Sequence, residues 1–192
     1  MKRVKILQGN SIPLNQTELV FESRIIWRNL ANWIREYLVS VYANYGTQAT
    51  AEKKIKATLM GNSALISIIF GAQDIEKYNN LICNFVSILK SLVAAQKSGD
   101  DNAVNEYTKQ LYENVDQRAA YAQQINPFWS ESEWKDLSHQ FIQMTIEEST
   151  ALLKKEYTKS IEIYDDILSL TSKMGDYYSK GVLDYMIYMN QQ

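Results

Sequence analysis

Chain breakers are scarce in this sequence: two prolines and seven glycines among 192 residues. Proline removes a backbone donor and clashes inside a helix, and glycine weakens helix interiors, so their scarcity favours long uninterrupted helices. Cysteine occurs once, as Cys83, which excludes an internal disulfide and a cysteine-based zinc site. Flanked by Leu81, Ile82 and Phe85, it reads as a small core hydrophobe rather than a nucleophile. An excess of charge is missing too, since 20 basic residues against 22 acidic ones give a formal net charge of −2. Nucleic-acid affinity comes largely from phosphate neutralisation, so no nucleic-acid partner is expected. The basic cluster Lys2, Arg3 and Lys5 reads as a solvated tail. The densest apolar run, Leu65 to Phe70, is far too short to span a bilayer. The opening residues Met1 to Leu7 carry the charge of a signal peptide but neither its apolar stretch nor its cleavage site. A cytoplasmic protein without a membrane partner is the expectation.

What is present is an ordinary globular composition, 46% hydrophobic and 22% charged, with apolar residues recurring at helical spacing. Leu19, Ile26, Trp27, Leu30, Trp33, Ile34, Tyr37, Leu38 and Val41 predict a helix from Thr17 to about Tyr45, stopped by Gly46. A shorter helix is predicted from Ala49 to Met60, broken at Gly61-Asn62, with Ala64 to Phe70 as a helical turn or buried connector. Asp74 reads as the N-cap of a third helix that carries Tyr78, Leu81, Ile82, Phe85, Ile88, Leu89, Leu92 and Val93. Gly99 ends it and Asp100-Asp101 opens the next, lined by Val104, Tyr107, Leu111, Val115, Ala119 and Ala122. Pro127 interrupts the pattern, and Ser130 with Glu133 forms a capping box for a helix that reaches Leu153. A last helix runs from Tyr157 to Met189 and carries Ile161, Leu168, Met174, Tyr178 and Val182, with Gly175 and Gly181 tolerated at a modest cost. The fold class is therefore all-α: one bundle of about five or six helices, mostly antiparallel, spanning residues 1–192 as a single domain. Residues 1–16 are expected to be a flexible or loosely packed N-terminal segment.

Several chemistries lack their parts. Phosphate transfer needs a glycine-rich loop after a strand, and neither a Walker-type loop nor a dinucleotide fingerprint occurs. Di-iron bundles need Glu-x-x-His pairs, whereas the one histidine, His139, has no glutamate three residues before it. It falls one position off the Leu137–Phe141 stripe and reads as a surface or boundary residue. No serine sits in anything resembling a nucleophile elbow. An all-carboxylate site stays open, from Asp116, Asp165 and Asp176 near apolar faces of separate helices; capping or ion pairing is the competing reading. Four tryptophans and 13 tyrosines are candidates for a pocket lining, though at helical spacing they serve equally as core.

An ordered set of residues runs through most of the chain. It comprises Trp27, Trp33 and Arg35, Gly99-Asp100, Tyr112-x-Asn114-x-Asp116, Asn126-Pro127-Phe128-Trp129, Trp134, Thr145, Glu148, Tyr164-Asp165, and Met174-x-Asp176 with Gly181. Over about residues 20 to 183 this set resembles a small all-helical bacterial family of uncharacterised proteins, some of them labelled acetylglutamate kinase. That label does not suit this chain, because acetylglutamate kinases are α/β proteins with glycine-rich loops. The resemblance implies histidines at the positions of Leu30, Phe85 and Phe141, and a histidine or glutamine at that of Leu170. Such inward-pointing groups suit a metal or small-ligand site in the family. In this chain all four are apolar, which implies a hydrophobic interior in place of a polar one. Arg35, Asn114, Asp116, Asp165 and Asp176 survive as candidate ligand-binding residues, or equally as a structural network.

The functional expectation is a non-enzymatic helical bundle that binds a small ligand or a protein partner, with no catalytic residue, metal or cofactor assigned. A metal- or cofactor-dependent bundle enzyme that works through carboxylates is the alternative. A homodimer is a further possibility, because Tyr177, Tyr178, Tyr185, Met186, Tyr188 and Met189 suit an interface.

Overall fold

Six helices follow one another in the computed structural model, which describes residues 14–71 and 75–191. They are α1 (Leu14–Ala43), α2 (Gln48–Phe70), α3 (Ile75–Ser98), α4 (Asp101–Ile125), α5 (Glu131–Leu153) and α6 (Tyr157–Met189). No strand occurs among the described residues. Short connections make sequence neighbours antiparallel, and each helix packs on the next. The chain then closes on itself, with α6 against α1, while α5 also reaches α1 and α3. The architecture is an all-α bundle.

Local chemistry sets the boundaries. The Asp100 carboxylate accepts from the Ala103 amide at 3.0 Å and caps α4. Ser130 Oγ accepts from the Glu133 amide at 3.4 Å, as the capping-box pattern predicts for α5. At the end of α3, Gly99 takes a positive φ of 74° while its amide and that of Asp100 donate to the Gln96 and Ala95 carbonyls. The same pair of bonds closes α5 at Leu152 and Ala151, but there Lys155 occupies the left-handed position at φ 61°.

Three expectations are corrected. First, α2 does not break at Gly61-Asn62; it continues to Phe70 and stops at Gly71, φ 91°. Asn62 and Ser63 turn inward with Ile55, Leu59 and Ile66, so packing against the bundle outweighs the weak helix preference of glycine and asparagine. Second, Cys83 is half-buried at the edge of the α3 stripe rather than in the core. Third, Ile161 is exposed near the start of α6, where the ion-paired Arg35 occupies the inner face. The start of α1 at Leu14 leaves residues 1–13 outside the described region, and the N-cap expected at Asp74 lies outside it as well.

One cluster of buried side chains draws on all six helices, including Leu38, Ile55, Ile82, Leu111, Ile142 and Met174. Leu30, Phe85, Phe141 and Leu170 belong to it, each no more than 4% exposed. Both glycines of α6 are packing devices. A Cβ on Gly175 would stand 2.7 Å from Arg24 Cα of α1, and one on Gly181 would overlap the indole of Trp129. Small residues here let α1 and the α4–α5 connection approach α6 at backbone distance.

Candidate functional site

Among the described residues, polar clusters and an aromatic-lined cavity interrupt the apolar interior. Arg35 on α1 pairs with Glu148 on α5 through Nη1, which also donates to the Ser160 carbonyl and hydroxyl at 3.3 Å. Its guanidinium lies 4.5 Å over the ring of Tyr164, whose hydroxyl donates to Asn32. Glu148 is 1% exposed, and burial outweighs the pull of Arg35, so its carboxyl is pushed up to about 7. At the next position of α5, Ser149 donates to Gln96 Oε1 at 2.6 Å and lies 2.8 Å from the Tyr42 hydroxyl. These bonds tie α1, α3, α5 and α6 together, and each buried polar group in them has a partner.

The other candidate residues occupy separate places. Asn114 donates from Nδ2 to the Leu81 carbonyl at 2.9 Å and fastens α4 to α3. Asp116 lies 2.7 Å from His139 Nε2, half-exposed, with Tyr112 edge-on to the imidazole at 4.8 Å. Asp176 accepts from Arg24 Nε and Nη2 at 2.6 and 2.8 Å, a bidentate pair between α6 and α1. Asp165 is exposed on α6. Asp165 and Asp176 share that helix rather than lying on separate ones, about 16 Å apart along its axis at 1.5 Å per residue. The three aspartates are thus not drawn together, and no group of three or more His, Cys, Asp or Glu among the described residues is placed to hold an ion.

The cavity lies where aromatic side chains from five elements meet. Trp27 of α1, Tyr78 of α3, Trp129 of the α4–α5 connection, Trp134 of α5 and Tyr178 of α6 line it, with Asn62 and Ile66 of α2 and Val115, Arg118 and Ala119 of α4. Its volume is about 40 Å³, room for roughly three water molecules. The rings brace one another: Trp27 and Trp134 at 5.5 Å, Trp129 and Tyr178 at 5.1 Å, Trp129 and Trp134 edge-on at 6.0 Å. Trp129 is further held by an indole N–H to the Tyr178 carbonyl at 3.3 Å. Asn126 fixes the connection by donating from Nδ2 to Gly181 O at 3.0 Å while its Oδ1 accepts from the Phe128 amide.

Buried polar groups are almost always partnered. Five buried side-chain atoms are without a hydrogen-bond partner among the described residues, and four belong to this lining: Asn62 Oδ1, Arg118 Nε, Trp134 Nε1 and the Tyr178 hydroxyl. Asn62, Trp134 and Tyr178 are each no more than 5% exposed. Burial raises the Tyr178 phenol, which therefore keeps its proton and can donate. The Arg118 guanidinium lies over Tyr78 and Phe85, 5.7 and 5.5 Å from the ring centroids.

Spacing assigned Trp27, Trp129 and Trp134 to core or pocket, but it passed over Asn62, Arg118, Tyr178 as a donor, and Glu148 as the partner of Arg35. A signal was present for several of them. Asn62 interrupts Ile55–Leu59–Ile66, Arg118 interrupts Val115–Ala122, and Glu148 interrupts Phe141–Leu152, each at a position of the apolar stripe. A polar residue in such a stripe needs a buried partner or a ligand. No family model, no curated protein and no solved structure matches this chain.

Proposed function

We propose that this chain is a cytoplasmic, non-enzymatic helical bundle that binds a small ligand in the aromatic cavity. One observation carries the reading: four buried polar atoms without a partner, from α2, α4, α5 and α6, belong to side chains that line the same space. Leaving such atoms unpaired costs roughly 1–3 kcal/mol each, and a ligand or water that bonds them recovers that cost. The proposal extends to membership of the all-helical bacterial family that the ordered residues resemble. In that family this copy has exchanged imidazoles for Leu30, Phe85 and Phe141, with its ligand chemistry shifted to the neighbouring cavity. Support for the carboxylate enzyme is lacking, because Asp116, Asp165 and Asp176 stand apart.

Native mass spectrometry of untagged protein purified without chelators, read beside tryptophan emission during ligand titration, tests the reading. A stoichiometric adduct, or a saturable change in emission that Ala119→Leu abolishes by filling the cavity, is the expected result. A bare polypeptide mass together with flat emission across a library of small metabolites would overturn it. The same spectra count subunits. A homodimer is the second reading, favoured by Met186, Ile187, Tyr188 and Met189, which are half-exposed in succession at the end of α6. Tyr178 is not part of that surface, and Tyr177 and Tyr185 are half-buried.

A further inference from the structure

The lining of the cavity is asymmetric in a way that selects a ligand class. Three of its unpartnered atoms are donors or can donate, Arg118 Nε, Trp134 Nε1 and the Tyr178 hydroxyl, against one obligate acceptor, Asn62 Oδ1. Arg118 is the one formally charged side chain in the lining. No carboxylate among the described residues pairs with it, whereas Arg24 and Arg35 each have one. It is held instead over two aromatic faces, which steady a cation without neutralising it.

We infer that the cavity takes the carboxylate end of a small monocarboxylic acid, held by Arg118, Trp134 and the Tyr178 hydroxyl. A carboxylate offers two oxygens with about four lone-pair sites and no donor, the complement of three donors around one positive charge. A cation would meet Arg118 at close range, with Asn62 Oδ1 as the one obligate acceptor among the unpartnered atoms. A neutral amide would offer one acceptor oxygen in place of two, turn its NH2 group toward a donor, and leave the charge uncompensated. The volume of about 40 Å³ admits a head group rather than a large molecule. Ala122 and Ser138, both half-buried beside Arg118, form the side toward solvent, where a short tail would leave. The inference rests on the binding reading given above.

Propionate, propionamide and propylammonium share a skeleton and differ in charge, so they separate the two. Tryptophan emission and thermal unfolding are followed for each at constant ionic strength set with chloride. Propionate is expected to change the emission saturably and to raise Tm, with propionamide about tenfold weaker and propylammonium inert. Arg118→Met keeps the alkyl stem and is expected to weaken propionate by about tenfold or more while weakening propionamide much less. Trp134→Phe, which removes one donor, serves should Arg118→Met lose its helical circular dichroism. Propionamide binding as tightly as propionate, or propionate indifferent to Arg118→Met, would overturn the carboxylate assignment and leave the cavity a ligand site. Silence of all three probes would overturn the assignment too, and the adduct mass then decides separately whether the cavity binds anything.

Discussion

Glu148 shows what a polar residue costs when the fold places it inside. Its carboxyl titrates near 7 in the folded chain against an ordinary value of 4.5, because desolvation exceeds the attraction of Arg35. Between those values the folded state keeps a proton that the unfolded chain releases, so stability falls as pH rises from about 4.5 to about 7. Above and below that window the contribution is level. Its size is at most about 3 kcal/mol, from 1.36 kcal/mol per pH unit. Urea denaturation at several pH values should show this slope in the wild type and its loss in Glu148→Gln. An unchanged slope in the variant would place the titration elsewhere. A second residue, Gly181, matters through absence of a side chain. Gly181→Ala would drive a methyl group into the indole of Trp129, which is 1% exposed and would have to shift. The expected loss is about 1–3 kcal/mol, with a shift in tryptophan emission, and Gly181→Ser should do no better.

Helices were legible in the sequence wherever an apolar stripe and a capping residue agreed. That holds for α4 and α5, whose Asp100 and Ser130 caps stand where the side-chain pattern puts them. Agreement failed in α2, where Gly61 and Asn62 are poor helix formers and the packing that overrides them comes from residues distant in sequence. Missing that continuity also hid Asn62 as part of an inward stripe. The other end of α5 carries a conflict of its own, for Lys155 adopts φ 61° where Gly99 serves at the end of α3. A lysine pays about 1–2 kcal/mol for this left-handed conformation, and glycine does not, although glycine also loosens the unfolded chain. Lys155→Gly should therefore stabilise the protein by about 0.5–1 kcal/mol, read as a higher urea midpoint with an unchanged m-value. A fall in the midpoint would mean that the lysine stem contributes packing that outweighs its backbone strain.

At the scale of the molecule, the aromatic cavity was illegible as a site because it belongs to no segment. Its lining comes from every helix, and spacing within one helix says nothing about which polar atom of another helix it faces. The same closure that assembles it makes the first and last helices partners. Arg24 and Asp176 meet across 152 positions of sequence, and Gly175 rests on the backbone of Arg24. Since one buried cluster spans all six helices, loosening this crossing removes support from the whole core rather than from two helices. Gly175→Ala is a local probe of that coupling. Its methyl group would stand 2.7 Å from Arg24 Cα, closer than a Cβ tolerates, so α1 and α6 must separate by some tenths of an ångström. The expected cost is about 1–3 kcal/mol. Cooperative unfolding makes a stronger demand. Far-UV circular dichroism reports all the helices, while tryptophan emission reports Trp27, Trp129 and Trp134 around the cavity, together with Trp33. Both transitions should coincide in the wild type and move together in Gly175→Ala. A variant whose tryptophan transition shifted while its circular dichroism did not would show that the cavity region melts on its own. The bundle would then be two cooperative units joined at the α1–α6 crossing.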